Sequence, residues 1–188
     1  HNINEYNSAD YRRLIGVVFQ DFQMFGATLA ENVVMDHLQE DELEEKMNKI
    51  KSSLINSGFE EKLNKLEDGL FTQVTTEFDK KGVDFSGGES QKVAISRAFY
   101  KDAQILIMDE PSSALDPIAE YELNKAMETA AKGKTVFYIS HRLSTTRDAD
   151  RIIMLEQGQI IEEGTHAQLL AQNGKYAQMW HTQAGNYN

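Results

Sequence analysis

Between Phe85 and Pro117 the chain sets out a glycine-opened helix, a short apolar run and two adjacent carboxylates in one unbroken order. Ser86, Gly87 and Gly88 stand before a helical run, so bare N–H groups and a hydroxyl lie at a positive helix end that stabilises an anion. Glycine there lets a phosphate or another backbone approach closely. Ile105–Met108 is continuously apolar and has the length of a strand buried on both faces. It ends in Asp109 and Glu110. Neighbouring side chains on a strand point to opposite faces. At the carboxyl edge of an open parallel sheet, where ligands bind, the two can divide the work: one holds a metal, the other handles water. Taken singly, Ser-Gly-Gly is commonly a loop, and an apolar run ending in Asp-Glu is commonly a strand running into water. The order of the three is what makes them specific.

With 188 residues, 40% of them hydrophobic, the chain has enough material for a domain with a real core. A net charge of −11 argues against a nucleic-acid groove, which needs a basic face. It also disfavours docking on anionic lipid heads. Without cysteine, neither a disulfide nor a thiolate metal site is available. No apolar run approaches the roughly 20 residues of a membrane helix. Residues 1–10 are polar and carry no leader pattern, so the start reads as the middle of a longer protein.

Along the chain, Ser8 is expected to cap a short helix over Ala9–Arg13. Ile15–Phe19 reads as a strand with Gln20 at its end. Leu43, Met47, Ile50 and Leu54 recur at helical spacing among charged residues, the pattern of an amphipathic helix, which Ser57 and Gly58 stop. Leu66–Asp84 reads as a polar, irregular connector. A helix is expected from Glu89 to Tyr100, with Arg97 as a structural ion-pair partner. Asp116 and Pro117 read as an N-cap and first turn of a helix running to Ala131. Thr135–Ser140 reads as a second buried strand, followed by His141. Arg151–Leu155 and Gln159–Ile161 flank Glu156-Gln157-Gly158 as a hairpin. Thr165–Gln168 has a capping-box pattern, and Tyr176, Met179 and Trp180 share one helix face.

Together these motifs resemble the ATP-binding cassette (ABC) family. Phe85–Glu89 is similar to its signature motif, with Phe85 and Glu89 where Leu and Gln are usual. Ile105–Glu110 resembles its Walker B strand, Ser113–Asp116 its D-loop, Ile15–Phe22 its Q-loop, and His141 its H-loop histidine. Glu31-Asn32 and the tail from Gly174 resemble the exporter branch. The resemblance departs before Gly82, where Lys80 and Lys81 stand in place of the usual Glu. Gly133-Lys134-Thr135 imitates the end of a Walker A loop, but the first glycine would have to occupy position 128, which is Glu128, and the triplet precedes a strand. No Gly-x-x-x-x-Gly-Lys-[Ser/Thr] occurs anywhere, so Walker A is expected upstream.

The resemblance implies an α/β fold: an incomplete P-loop NTPase of ABC type, with a largely parallel core sheet and a helical subdomain. Residues 1–28 and 101–188 would form the partial ATPase core, and 29–100 the helical subdomain carrying the signature helix. ATP and Mg²⁺ are the implied cofactors. Asp109 and Gln20 would hold the metal. Glu110 would act as general base, with His141 and Gln20 completing the catalytic set. Ser86, Gly87, Gly88 and Glu89 would reach the γ-phosphate held by a second cassette, and Asp116 would touch the opposite site. The implied partners are that second cassette and a transmembrane domain encoded upstream, with no nucleic acid. The implied place is the cytoplasmic face of the cell membrane. The implied function is that of an ATP-binding and ATP-hydrolysing subunit of a transporter that powers export across a membrane. Two other readings stay open: a non-transport ABC ATPase, and a catalytically incompetent fragment that acts as a dimerisation or interaction module.

Overall fold

The computed structural model describes residues 2–38, 43–77, 80–112, 115–143 and 146–185. Chain contacts divide it into two units, His1–Ile139 and Ser140–Asn188.

The first unit opens with α1 (Ser8–Arg13). Asn7, not Ser8, caps it, because the Asn7 side chain accepts from the Ala9 N–H while Ser8 already has helical geometry. Next come β1 (Ile15–Val18), α2 (Leu29–Val34), α3 (Leu43–Asn56), α4 (Glu60–Leu63), α5 (Gly87–Lys101), β2 (Ile105–Asp109), α6 (Pro117–Ala131) and β3 (Thr135–Ile139). The three strands form one parallel sheet in the order β1-β2-β3, with Ile15 beside Ile105 and Ile105 beside Thr135. Parallel neighbours need long crossovers. Here α2–α5 lie in the first crossover and α6 in the second.

Among the described residues of this unit, two apolar clusters form. One joins the sheet to its flanking helices through Val18, Leu106, Met108, Ile95, Leu123 and Met127. The other joins α2, α3, α4 and the outer side of α5 through Leu29, Val33, Ile50, Leu54, Phe59 and Val93. Ile50 and Leu54 are fully buried and Met47 packs beside them, as the helical spacing predicts. Gly58 takes φ +79° just beyond α3, a backbone that glycine adopts without strain. The connector from Leu66 to Asp84 is less irregular than its composition suggests. Val74 is buried and bridges Val83, and Gln73 bridges Thr28.

β3 corrects one expectation. Its residues alternate between exposed and half-buried, with Phe137 57% and Ile139 53% exposed. The strand ends the described sheet and packs only Val136 and Tyr138 against the core, so its apolar composition does not signal burial on both faces. β2 is the more covered strand, with Leu106 and Met108 fully buried and Ile105, Ile107 and Asp109 half-buried.

In the second unit, β4 (Ile152–Glu156) and β5 (Gln159–Gly164) make the expected antiparallel hairpin. Its two-residue turn, Gln157-Gly158, has positive φ at both positions, which matches the twist of the flanking strands. Then follow α7 (His166–Gln172), with a complete Thr165/Gln168 capping box, and α8 (Lys175–Gly185). Tyr176 is fully buried, and Met179 and Trp180 pack beside it. Tyr176 also bonds its hydroxyl to Nδ1 of His166 at 2.8 Å. Glu162 of β5 accepts from the Tyr176 N–H at 3.0 Å, tying the hairpin to α8.

Candidate functional site

Parallel register brings three segments to one sheet edge. β1 ends with Val18 beside Met108, so Phe19 and Gln20 leave the sheet at the edge where β2 delivers Asp109 and Glu110. β3 ends at the same edge, with Ile139 opposite Asp109. Gln20 is exposed and both carboxylate residues are half-exposed, so all three can meet a ligand.

Glu110 does not continue the strand. Its φ is +46°, a left-handed conformation that costs on the order of 1–3 kcal/mol in a residue with a side chain. The turn is held by its N–H, which donates to the Ile139 carbonyl at 3.0 Å. Strand alternation therefore stops between Asp109 and Glu110, and the second carboxylate is freed from the face opposite the first. Gln91, buried in α5, donates from Nε2 to the Glu110 carbonyl at 3.5 Å. The motif reading passed over Gln91. A polar residue between buried Val93 and the helix start was the available signal.

The Ser86–Glu89 turn is built as a capping box. Ser86 Oγ accepts from the Glu89 N–H at 3.3 Å, and Glu89 Oε2 accepts from the Ser86 N–H at 2.8 Å. α5 thus begins two residues before Glu89 and runs one beyond Tyr100. The other Glu89 oxygen meets Lys62 Nζ at 3.0 Å. Burial pushes the Glu89 carboxyl up, but the Ser86 N–H and the Lys62 ammonium outweigh it, and the net effect lies below the usual 4.5. Gly87 is different in kind. A Cβ built there meets nothing within 4 Å, and its φ is not left-handed, so the chain's own packing makes no demand for glycine.

Asp116 caps α6, accepting from the Ile118 and Ala119 N–H groups at 3.0 Å each. These bonds, led by that from Ala119, hold its carboxyl below the ordinary 3.8. Ser113 and Ala114, the first half of the D-loop resemblance, lie outside the described residues. His141 belongs to the second unit, two residues past β3. It is exposed, and Gln183 Nε2 donates to its carbonyl at 2.8 Å. The Ser140 hydroxyl accepts from the Arg142 N–H at 2.9 Å and so shapes the same turn.

Arg97 corrects a second expectation. Among the described residues no carboxylate pairs with it. Its Nε donates to the Asn32 carbonyl and its Nη2 to the Gln23 carbonyl, each at 2.8 Å. The reason is its position: it faces the backbone of the segment that follows Gln20, which presents carbonyls rather than acids.

Comparison with known proteins identifies the family. The family model described as ABC transporter matches residues 1–113. The ATP-dependent lipid A-core flippase of Cupriavidus metallidurans is 39% identical over 93% of this chain, which spans 28% of that protein. The protein of the same name from Chromohalobacter salexigens is 40% identical over 94% of the chain and 29% of its own length. Among solved structures, a bacterial Atm1-family ABC exporter with ATP bound superposes with a TM-score of 0.83 at 33% identity, covering 97% of this chain and 30% of that one. The family model covers more than half of the chain and the solved exporter shares its fold, and the chain belongs to the ABC transporter family.

Proposed function

We propose that these 188 residues are the later part of an ATP-hydrolysing domain that powers export across a membrane. The observation that carries this is the acid pair at the end of β2, split by the left-handed turn at Glu110 and set beside the exit of Gln20. Asp109 and the Gln20 amide are hard oxygen donors suited to Mg²⁺, which keeps few protein ligands and takes the rest from phosphate and water. Bound there, the metal would neutralise charge on the transferred phosphoryl group. Glu110 accepts the proton of the attacking water, and His141 steadies the developing charge. Ser86, Gly87 and Gly88, flanked by Glu89, reach the γ-phosphate of a second cassette, and Asp116 lies along the same interface. The open space at Gly87 leaves room for such an approach, since no atom of the chain lies within 4 Å of where a Cβ would stand.

The apolar cluster of α2–α4 favours a helical subdomain within 29–100, with α5 shared between it and the sheet, to which Ile95 contributes. The transmembrane partner and the phosphate-cradling loop would come from sequence outside these residues, since the relatives are more than three times as long. Such a protein works at the cytoplasmic face of the cell membrane. Among the described residues no helix is long and apolar enough to cross it.

The test is Glu110→Gln in the intact protein. ATP binding persists while turnover falls by about 10²–10⁴-fold, the usual loss of a general base. Undiminished ATPase activity in that variant would remove Glu110 from the role.

A further inference from the structure

We infer that Arg97 is a positioning residue that makes the segment after Gln20 move as one body with helix α5, so that a change at the metal-holding loop is delivered to Ser86–Gly88. The inference rests on the function proposed above.

The geometry is a clamp. The Arg97 guanidinium spans two carbonyls nine residues apart in the chain, those of Gln23 and Asn32, at 2.8 Å each. It also lies 5.7 Å from the centre of the Phe25 ring and 3.4 Å from Asn32 Oδ1. Asn32, itself fully buried, ties the same segment internally. Its Oδ1 accepts from the Phe25 N–H and its Nδ2 donates to the Phe25 carbonyl, both at 2.9 Å, with a further bond to the Thr28 carbonyl at 3.1 Å. Asn32 thus knots residues 25–32 together by side-chain bonds, and Arg97 fastens this knot and Gln23 to α5. Burial lowers the guanidinium to about 10, so it stays charged at neutral pH and its bonds are of the stronger, charge-assisted kind.

At each end of this connection stands a residue that the proposed mechanism uses. Gln20 lies three residues before Gln23. Gly87 lies ten residues before Arg97, about 15 Å along an unbroken helix. A helix does not compress, so a shift of the knot reappears at its glycine end. Arg97 sits in neither site and touches no reacting group. A planar fork suits two carbonyls better than the single ammonium of lysine does.

The experiment uses the intact protein, wild type and carrying Arg97→Lys or Arg97→Gln, with hydrogen exchange followed during Mg·ATP titration. In wild type, residues 23–32 and 86–101 respond with one shared midpoint; separate midpoints overturn the inference with no variant needed. In a folded variant, residues 23–32 still respond, residues 86–101 no longer follow, and kcat falls by about tenfold, as expected for one lost charged hydrogen bond, while ATP affinity stays within about twofold. Segments that still respond together, or an unchanged kcat, overturn it. If the intact wild-type protein hydrolyses no ATP, the proposed function has failed instead; if wild type and Glu110→Gln hydrolyse it alike, only the role of Glu110 is lost, and in both cases the exchange titration still reports on the clamp.

Discussion

Replacing Gly87 with Ala separates what the fold needs from what a ligand needs. A Cβ at this position meets no atom within 4 Å, and the backbone is not left-handed, so there is neither a clash nor strain to resist it. Gly87 is the first residue of α5. In a helix interior Ala is favoured over Gly by about 0.5–1 kcal/mol. At the first position the benefit is smaller, so unfolding should stay unchanged or improve by at most about 1 kcal/mol. For a domain of this size that is no more than about 2–4 °C in the midpoint. The functional expectation runs the other way. If the N–H groups of this turn meet a γ-phosphate, a new Cβ holds that oxygen off. Each charged hydrogen bond lost costs roughly 1.5–3 kcal/mol, about 10–150-fold in turnover. Thermal unfolding and steady-state ATPase assays on the intact protein read the two effects. Wild-type turnover would refute the claim that a ligand approaches Gly87. A destabilisation of several kcal/mol would refute the claim that the chain's own packing is indifferent to it.

Asp116→Asn keeps an acceptor oxygen for the Ile118 and Ala119 N–H groups, so it preserves the α6 cap and the unfolding midpoint, while Asp116→Ala lowers the midpoint; equal loss of ATPase in both points to the carboxylate acting beyond the cap. Glu89 and Glu31 both have carboxyls held below 4.5 in the fold, Glu31 chiefly by the Thr28 N–H. Their contribution is therefore complete above about 4.5 and lost as pH falls through the lower folded values, and Glu89→Gln should flatten that part of a stability-versus-pH curve. Leu54→Ala empties a fully buried site in the α2–α4 cluster and should cost about 2–5 kcal/mol by denaturant unfolding; a loss below about 1 would mean that α3 is not packed as described.

Local rules carried much of the fold. Spacing placed α3 because Ile50 and Leu54 recur at the helical period, and cap chemistry placed α6 because Asp-Pro admits little else. The hairpin followed from Gln157-Gly158, where only a tight turn joins the two apolar runs. What composition could not reveal was which sheet position each strand takes. Ile105–Met108 and Thr135–Ile139 are both largely apolar, yet one is central and the other ends the sheet, and tertiary pairing is what separates them. The same limit applies at the site. Asp109 and Glu110 were visible as a pair, whereas the turn that divides them depends on a bond to Ile139, 29 positions further on. Arg97 was misread for a related reason. Its partners are backbone carbonyls, and a carbonyl has no letter in the sequence.

The bare flank of β3 has a practical side. Phe137 and Ile139 are exposed on a strand whose outer edge meets no other strand among the described residues. Exposed apolar edges recruit further strands, and identical ones recruit each other. A preparation of these 188 residues alone should gather into aggregates as its concentration rises. Lysine placed at Phe137 would be the simplest way to keep it dispersed.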